Sequence, residues 1–133
     1  VRSLIDRQGD LAMEAAVADW IEEGELARHV RTMHRVYRER RDALVDLIER
    51  KLGGSLVCEA PRGGIAIWAR GEPGRDLDAW VQAAGARGVV LRPGRHYTFD
   101  GSDPGALRLT FARLTVPELT RAVTRLAECR PRS

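Results

Sequence analysis

The stretch GALRLTFARL, residues 105–114, reads as a β-strand carrying a charge where strands rarely do. Leu107, Leu109 and Phe111 alternate and share one face, while Ala106, Arg108, Thr110 and Ala112 share the other. Charged residues are depleted from strand interiors, and a buried charge is costly unless it is paired. The pattern leaves two readings of Arg108. In one, it is a strand-edge arginine paired with a local carboxylate, Asp100 or Asp103. In the other, its guanidinium is aimed at a ligand carboxylate. Arginine suits that task because its planar donors meet both oxygens at once. Small neighbours, Ala106 and Ala112, leave room beside it.

Outward from this strand, the C-terminal side predicts a last helix. Thr115 caps it, Pro117 and Glu118 fall in its first turn, and Leu119, Val123 and Leu126 mark its buried face. On the N-terminal side, GRHYTFDGSDPG (94–105) is a loop rich in turn residues, and VVLRP (89–93) is a third strand broken by Pro93. LDAWVQAAGARG (77–88) is a helix with Asp76 as N-cap and a closing glycine. SLVCE (55–59) and IAIWA (65–69) are two further strands around the turn PRGG.

Before Gly53 the rhythm is helical. Residues 10–23 predict a helix capped by Asp10 and stopped at Gly24, with Leu11, Ala15, Ala18 and Ile21 as its apolar stripe. The segment before it, through Gly9, is expected to belong to an interrupted helix that starts upstream. Residues 25–52 predict one long helix, on the order of 40 Å at 1.5 Å per residue. Leu26, Val30, Met33, Tyr37, Leu44, Leu47 and Leu52 recur along it. The whole predicts an α/β (α+β) chain in two parts: a long helical arm over 1–52, then a small three- to four-stranded sheet covered by helices over 53–133.

Composition narrows the function. The 133 residues carry 22 Lys+Arg against 19 Asp+Glu, a net charge of +3. Of those 22 basic residues, Lys51 is the one lysine. No apolar run reaches the roughly 18–20 residues of a membrane span, and residues 1–10 lack a signal-peptide apolar stretch. A cytoplasmic protein is expected, with Cys58 and Cys129 as reduced, semi-buried thiols, and the chain reads as a piece of a longer one.

Other candidate chemistry is thinner. Arg28, Arg31, Arg35 and Arg38 make a stripe on the long helix that fits either a nucleic-acid backbone or a solvated face. His29 and His34 are not at the i, i+4 spacing of a helical metal pair, so no metal site is expected. The glycine turns PRGG and RPGRHY sit beside arginines and can present backbone N–H groups to anions. No nucleophile elbow, phosphate-binding loop or dinucleotide fingerprint is present.

The order of the pieces adds a resemblance. PRGGIAIW (61–68), GVVLRPGRHYTF (88–99), GALRLTFA (105–112) and ELTRAVTRLAE (118–128) together resemble the C-terminal part of class I, fold-type I aminotransferases. Upstream, DWIEEGELARHVRTMHRVYRERRDAL (19–44) is similar to the long helical connection of that fold. It looks most like MocR/GabR-type transcription regulators, which fuse an N-terminal winged helix-turn-helix to a domain of this fold. The 2-aminoadipate-type aminotransferases have a similar stretch.

The resemblance implies that Arg108 matches the arginine binding the α-carboxylate of an amino-acid substrate or effector, in a cleft between two domains. His96 and Tyr97 are then possible pocket-lining residues. Ile65 and Ala66 depart from the Phe or Tyr often found in the Gly-Gly strand. The family cofactor is pyridoxal phosphate, held by a lysine. Lys51, in ERKLGG, matches no cofactor motif, so the cofactor is expected in a full-length parent and none is held by this piece alone. No catalytic residue is assigned within it. The implied partners are a missing large aminotransferase-like domain, a second copy in a homodimer, an amino-acid ligand, and DNA only through a missing N-terminal domain. Three functions stay open: an effector-sensing domain of a regulator, the C-terminal domain of an active aminotransferase, and a nucleic-acid binder using the long helix.

Overall fold

The structure, a computed structural model, describes residues 9–131. The helix expected to lead into Gly9 and the end of the polar tail lie outside them. The chain divides into two units, with the boundary between Val36 and Tyr37.

The first unit holds helix α1 (Leu11–Glu22) and the start of α2 (Glu25–Leu52). Asp10 caps α1 as expected, accepting a hydrogen bond from the Met13 amide at 3.1 Å. Gly24 then turns the chain at φ +75°, the left-handed region that glycine enters without penalty. The apolar stripe of α1 is not buried: Leu11 and Ile21 are 64% and 54% exposed. Trp20 packs its ring against His29, 5.7 Å between centroids.

The second unit contains the rest of α2 and a four-stranded antiparallel sheet, order β1-β2-β4-β3. Its strands are β1 (Leu56–Cys58), β2 (Ala66–Gly71), β3 (Arg92–Pro93) and β4 (Ala106–Thr110). Helix α3 (Leu77–Ala86) joins β2 to β3, and α4 (Val116–Glu128) follows β4. The register pairs Ile67 with Leu109 and Ala69 with Leu107, so these four share one face. All four are buried, in one core with Leu44, Ile48 and Leu52 of α2, Trp80 of α3, and Leu119, Val123 and Leu126 of α4. Helices therefore cover one face of the sheet. The indole of Trp80, fully buried, donates to the Leu126 carbonyl at 2.8 Å and ties α3 to α4.

Two strands are shorter than their apolar runs predict. The strand expected over 89–93 shrinks to Arg92–Pro93. The Val89 amide is already used, donating to the Ala84 carbonyl at 2.9 Å to close α3, and Val90 is exposed. The strand expected to run to Leu114 ends at Thr110, where the chain turns toward the cap of α4. The Phe111 amide still reaches the Ile65 carbonyl at 3.1 Å.

The thiols of Cys58 and Cys129 are free and half-buried. Burial, reinforced by the nearby Glu49 carboxylate, pushes the Cys58 thiol up from its ordinary value. Among the described residues no helix is long and apolar enough to cross a membrane.

Candidate functional site

The second face of the sheet bears the charge that the sequence singled out. Trp68 of β2 and Arg92 of β3 are both register partners of Arg108, one on either side. Directly opposed residues of antiparallel strands project from the same face. Trp68, Arg108 and Arg92 therefore form one transverse row, on the face away from the core.

The loop before β4 completes this row. Pro93 ends β3, and a 3₁₀ turn, Gly94–Tyr97, swings the chain back over the sheet. Gly94 is buried so closely against Pro104 and the Ala106 carbonyl that a Cβ there would meet Pro104 Cγ at 2.5 Å. This close approach brings Tyr97 under Arg108, with the guanidinium carbon 5.2 Å from the ring centroid. Tyr97 also meets Trp68 edge-on, 5.7 Å between centroids and 90° between planes. An arginine over an aromatic face contributes about 0.5–1 kcal/mol at an exposed site. Here that contact also limits where the guanidinium can point.

Neither acid proposed as a local partner of Arg108 takes that role. Asp100 accepts from the Ser102 amide at 3.0 Å and the Ser102 hydroxyl at 2.7 Å. Those bonds hold its carboxyl below the usual range. Asp103 accepts from the Gly105 amide at 2.9 Å, the step that starts β4. Both carboxylates shape the loop. Among the described residues, no carboxylate pairs with Arg108 or with Arg92.

Four other arginines of the second unit are bonded within it. Arg40 donates to the Ala112 carbonyl, and Arg41 to the Pro61 carbonyl at 3.0 Å. Arg75 bonds Glu72 and the Pro131 carbonyl, and Arg95 pairs with Asp78. These four fasten turns and chain ends, whereas Arg92 and Arg108, like Arg62, Arg70 and Arg113, have no side-chain hydrogen bond or ion pair among the described residues, and Arg108 keeps its contact with Tyr97.

Because β3 pairs only with Leu107 and Arg108, the β4 edge is open beyond Arg108. A cavity of about 440 Å³ lies there. Arg92, Tyr97, Arg108 and Thr110 line one part of it, and Leu91, Leu119 and other apolar side chains line the rest. That volume falls within the usual range of ligand pockets. Tyr97 belongs to the lining. His96, its neighbour, is exposed and does not. Lys51 is exposed in the last turn of α2 and is not part of the cavity lining. The described residues hold no cluster of three or more potential metal ligands.

Trp68 and Arg92 were not among the residues that the sequence nominated. Each lies on a predicted strand, but the pairing that lines them up with Arg108 joins segments up to about 40 residues apart. Arginines at same-face positions of two neighbouring strands were the available signal, once strand order was known.

Residues 3–126 match the family model for class I and II aminotransferases. The chain is 27% identical over 135 residues to the uncharacterized HTH-type transcriptional regulator YisV of Bacillus subtilis, covering 94% of this chain and 28% of YisV. It is 35% identical over 83 residues to the probable rhizopine catabolism regulatory protein MocR of Rhizobium meliloti, covering 62% of this chain and 17% of MocR. Among solved structures, the multiple substrate aminotransferase of Thermococcus profundus superposes with a TM-score of 0.87 at 25% identity, over 97% of this chain and 32% of that one. The chain thus spans less than a third of the length of these relatives.

Proposed function

Because the chain belongs to the class I and II aminotransferase family, we propose that it is the C-terminal part of an effector-sensing domain in a transcription regulator, where Arg108 binds the carboxylate of an amino-acid ligand. One observation carries the reading. Arg108 is held mid-strand, stacked on Tyr97, and paired with no carboxylate among the described residues. A guanidinium already held in place loses little freedom when an anion arrives, which favours binding. The regulator half of the reading rests on YisV and MocR, both named as regulatory proteins.

Members of this family use pyridoxal phosphate, which supplies an electron sink when bound. The residues here do not fit the group: Lys51 is exposed and lines no part of the cavity. The cofactor belongs to a large domain of the parent protein, and this chain's contribution is an anion site facing it. Ligand binding at Arg108 would draw the small domain closed. A ligand shifts that equilibrium only by its differential affinity for the closed form. Closure would then reposition an N-terminal DNA-binding domain within a cytoplasmic homodimer. The exposed apolar side chains of α1 would be covered in the parent by the large domain or the second subunit.

A working aminotransferase is the second reading, favoured by the near-complete superposition on the Thermococcus profundus enzyme. There Arg108 would position the substrate for proton transfer by a lysine outside this chain. The upstream sequence separates the two: a winged helix-turn-helix of roughly 70 residues marks a regulator, the family in which such a fusion defines the architecture.

Arg108→Ala in the full-length parent tests the shared claim. Calorimetric titration should show amino acids bound more weakly by about 2–4 kcal/mol, while the corresponding decarboxylated amines change little. Equal weakening of both ligand classes contradicts the assignment.

A further inference from the structure

We infer that the Arg95–Asp78 ion pair is a positioning device for the candidate site: it anchors the turn that carries Tyr97 and thereby fixes the direction of Arg108. The inference rests on the reading of Arg108 above and deepens it by naming what holds that guanidinium ready.

Arg108 has no side-chain hydrogen bond or ion pair among the described residues, so the Tyr97 ring beneath it is what constrains its direction. Trp68 meets that ring edge-on and orients it, but leaves the backbone of Tyr97 to other ties. The backbone belongs to the turn Gly94–Tyr97, which has no side-chain cap and follows a strand of only two residues. Two ties hold this turn. The first is steric: Gly94 lies against Pro104 and the Ala106 carbonyl. The second is Arg95, bonded at both ends. Its guanidinium pairs with Asp78 in the first turn of α3, and its carbonyl accepts from the Thr98 hydroxyl at 3.0 Å.

Asp78 is committed to this pairing. Its other oxygen, Oδ1, is buried and accepts no hydrogen bond among the described residues. A buried carboxylate oxygen without a donor is costly, so the charge of Asp78 relies on Arg95. As whole side chains both are 41% exposed, and a pair that exposed adds little to stability. Stability alone therefore does not account for a pair that leaves one oxygen buried and unbonded. Its consequence is geometric. Arg95 stands two residues before Tyr97, and holding it to α3 restricts the positions open to the ring. A guanidinium restricted in this way spends more of its time in the orientation that binds, and apparent affinity rises with that share.

The experiment uses the full-length parent and two readouts. The first needs no ligand. Arginine-labelled protein should show the Arg108 side-chain resonance moved upfield by the Tyr97 ring current, a signal identified by its loss in Arg108→Lys. Asp78→Asn and Arg95→Gln should each reduce that displacement, and Asp78→Glu, which restores the charge, should recover part of it. The second readout is calorimetric titration with L-leucine and its decarboxylated counterpart, isoamylamine. Asp78→Asn should weaken L-leucine about two- to fivefold, because a tie transmits no more than its own surface-pair free energy, and should leave isoamylamine unchanged. In a Tyr97→Ala background the same substitution should have no further effect, since the ring through which it acts is gone. Arg95→Gln keeps the Asp78 charge at the start of α3, so agreement between the two variants separates the tie from helix stability. Thermal melts verify that both stay folded.

Three results overturn the inference: an Arg108 resonance and L-leucine affinity untouched by Asp78→Asn, equal weakening of both probes by that variant, or a loss that persists in full when Tyr97 is already alanine. The underlying reading fails separately, if Arg108→Ala leaves L-leucine bound as tightly as before.

Discussion

A Cβ at Gly94 would sit 2.5 Å from Pro104 Cγ and 2.8 Å from the Ala106 carbonyl oxygen. The carbonyl is backbone at the start of β4 and cannot swing aside as a side-chain tip would. Gly94→Ala should therefore destabilise the chain by about 1–3 kcal/mol, the usual range for overpacking. It should also loosen the Tyr97–Arg108 contact, because the turn that delivers Tyr97 begins at Gly94. Gly85→Ala is the matching control. It lies within α3, where nothing stands within 4 Å of the added carbon and φ is not positive. Alanine there should stabilise by about 0.5–1 kcal/mol through helix propensity. Urea unfolding of the two variants measures both, and similar effects from the pair would remove the steric argument.

Helix α4 opens with a cap in which the Thr115 amide and hydroxyl both donate to the Glu118 carboxylate at 2.7 Å. These two bonds, with Arg121 and Arg40 nearby, hold the Glu118 carboxyl below the usual glutamate range. A carboxyl lowered on folding contributes stability that is complete above its unfolded value and fades as pH falls through the folded one. Glutamine at 118 keeps a capping oxygen but does not titrate. The wild-type advantage over Glu118→Gln in urea midpoint should therefore shrink between about pH 6 and about pH 3, the span of carboxylate titration. A constant gap over that range would show that the charge is irrelevant. This cap was legible in the sequence as Thr115, Pro117 and Glu118, and Asp10 and Asp76 were legible in the same way, because caps are local. Strand ends were not. Val89 looks like strand on its side chain alone, yet its amide closes α3. The row Trp68–Arg108–Arg92 was invisible for a related reason: alternation assigns faces within a strand, and only long-range register lines up one strand with the next.

The two units differ in what holds them. Among the described residues, every buried one lies at or beyond Leu44, and none lies between residues 9 and 36. The apolar spacing of α1 predicted a helix correctly, but spacing does not say whether a stripe meets a partner within the same chain. Leu11, Met13 and Ile21 are each more than half exposed. A helix of 12 residues is marginal in water when its stability does not come from tertiary packing. Amides of α1 in the 133-residue chain should then exchange with solvent at least about a hundredfold faster than those of β4 and α4, whose opening requires breaking the core. If α1 docks on a large domain or a second subunit in the parent protein, the same amides should become protected there while those of β4 change little. Hydrogen-exchange mass spectrometry on the two proteins makes the comparison directly. Equal protection of α1 and β4 in the 133-residue chain would mean that the units unfold together. Unchanged rapid exchange in the parent would leave the apolar face of α1 without the partner proposed for it.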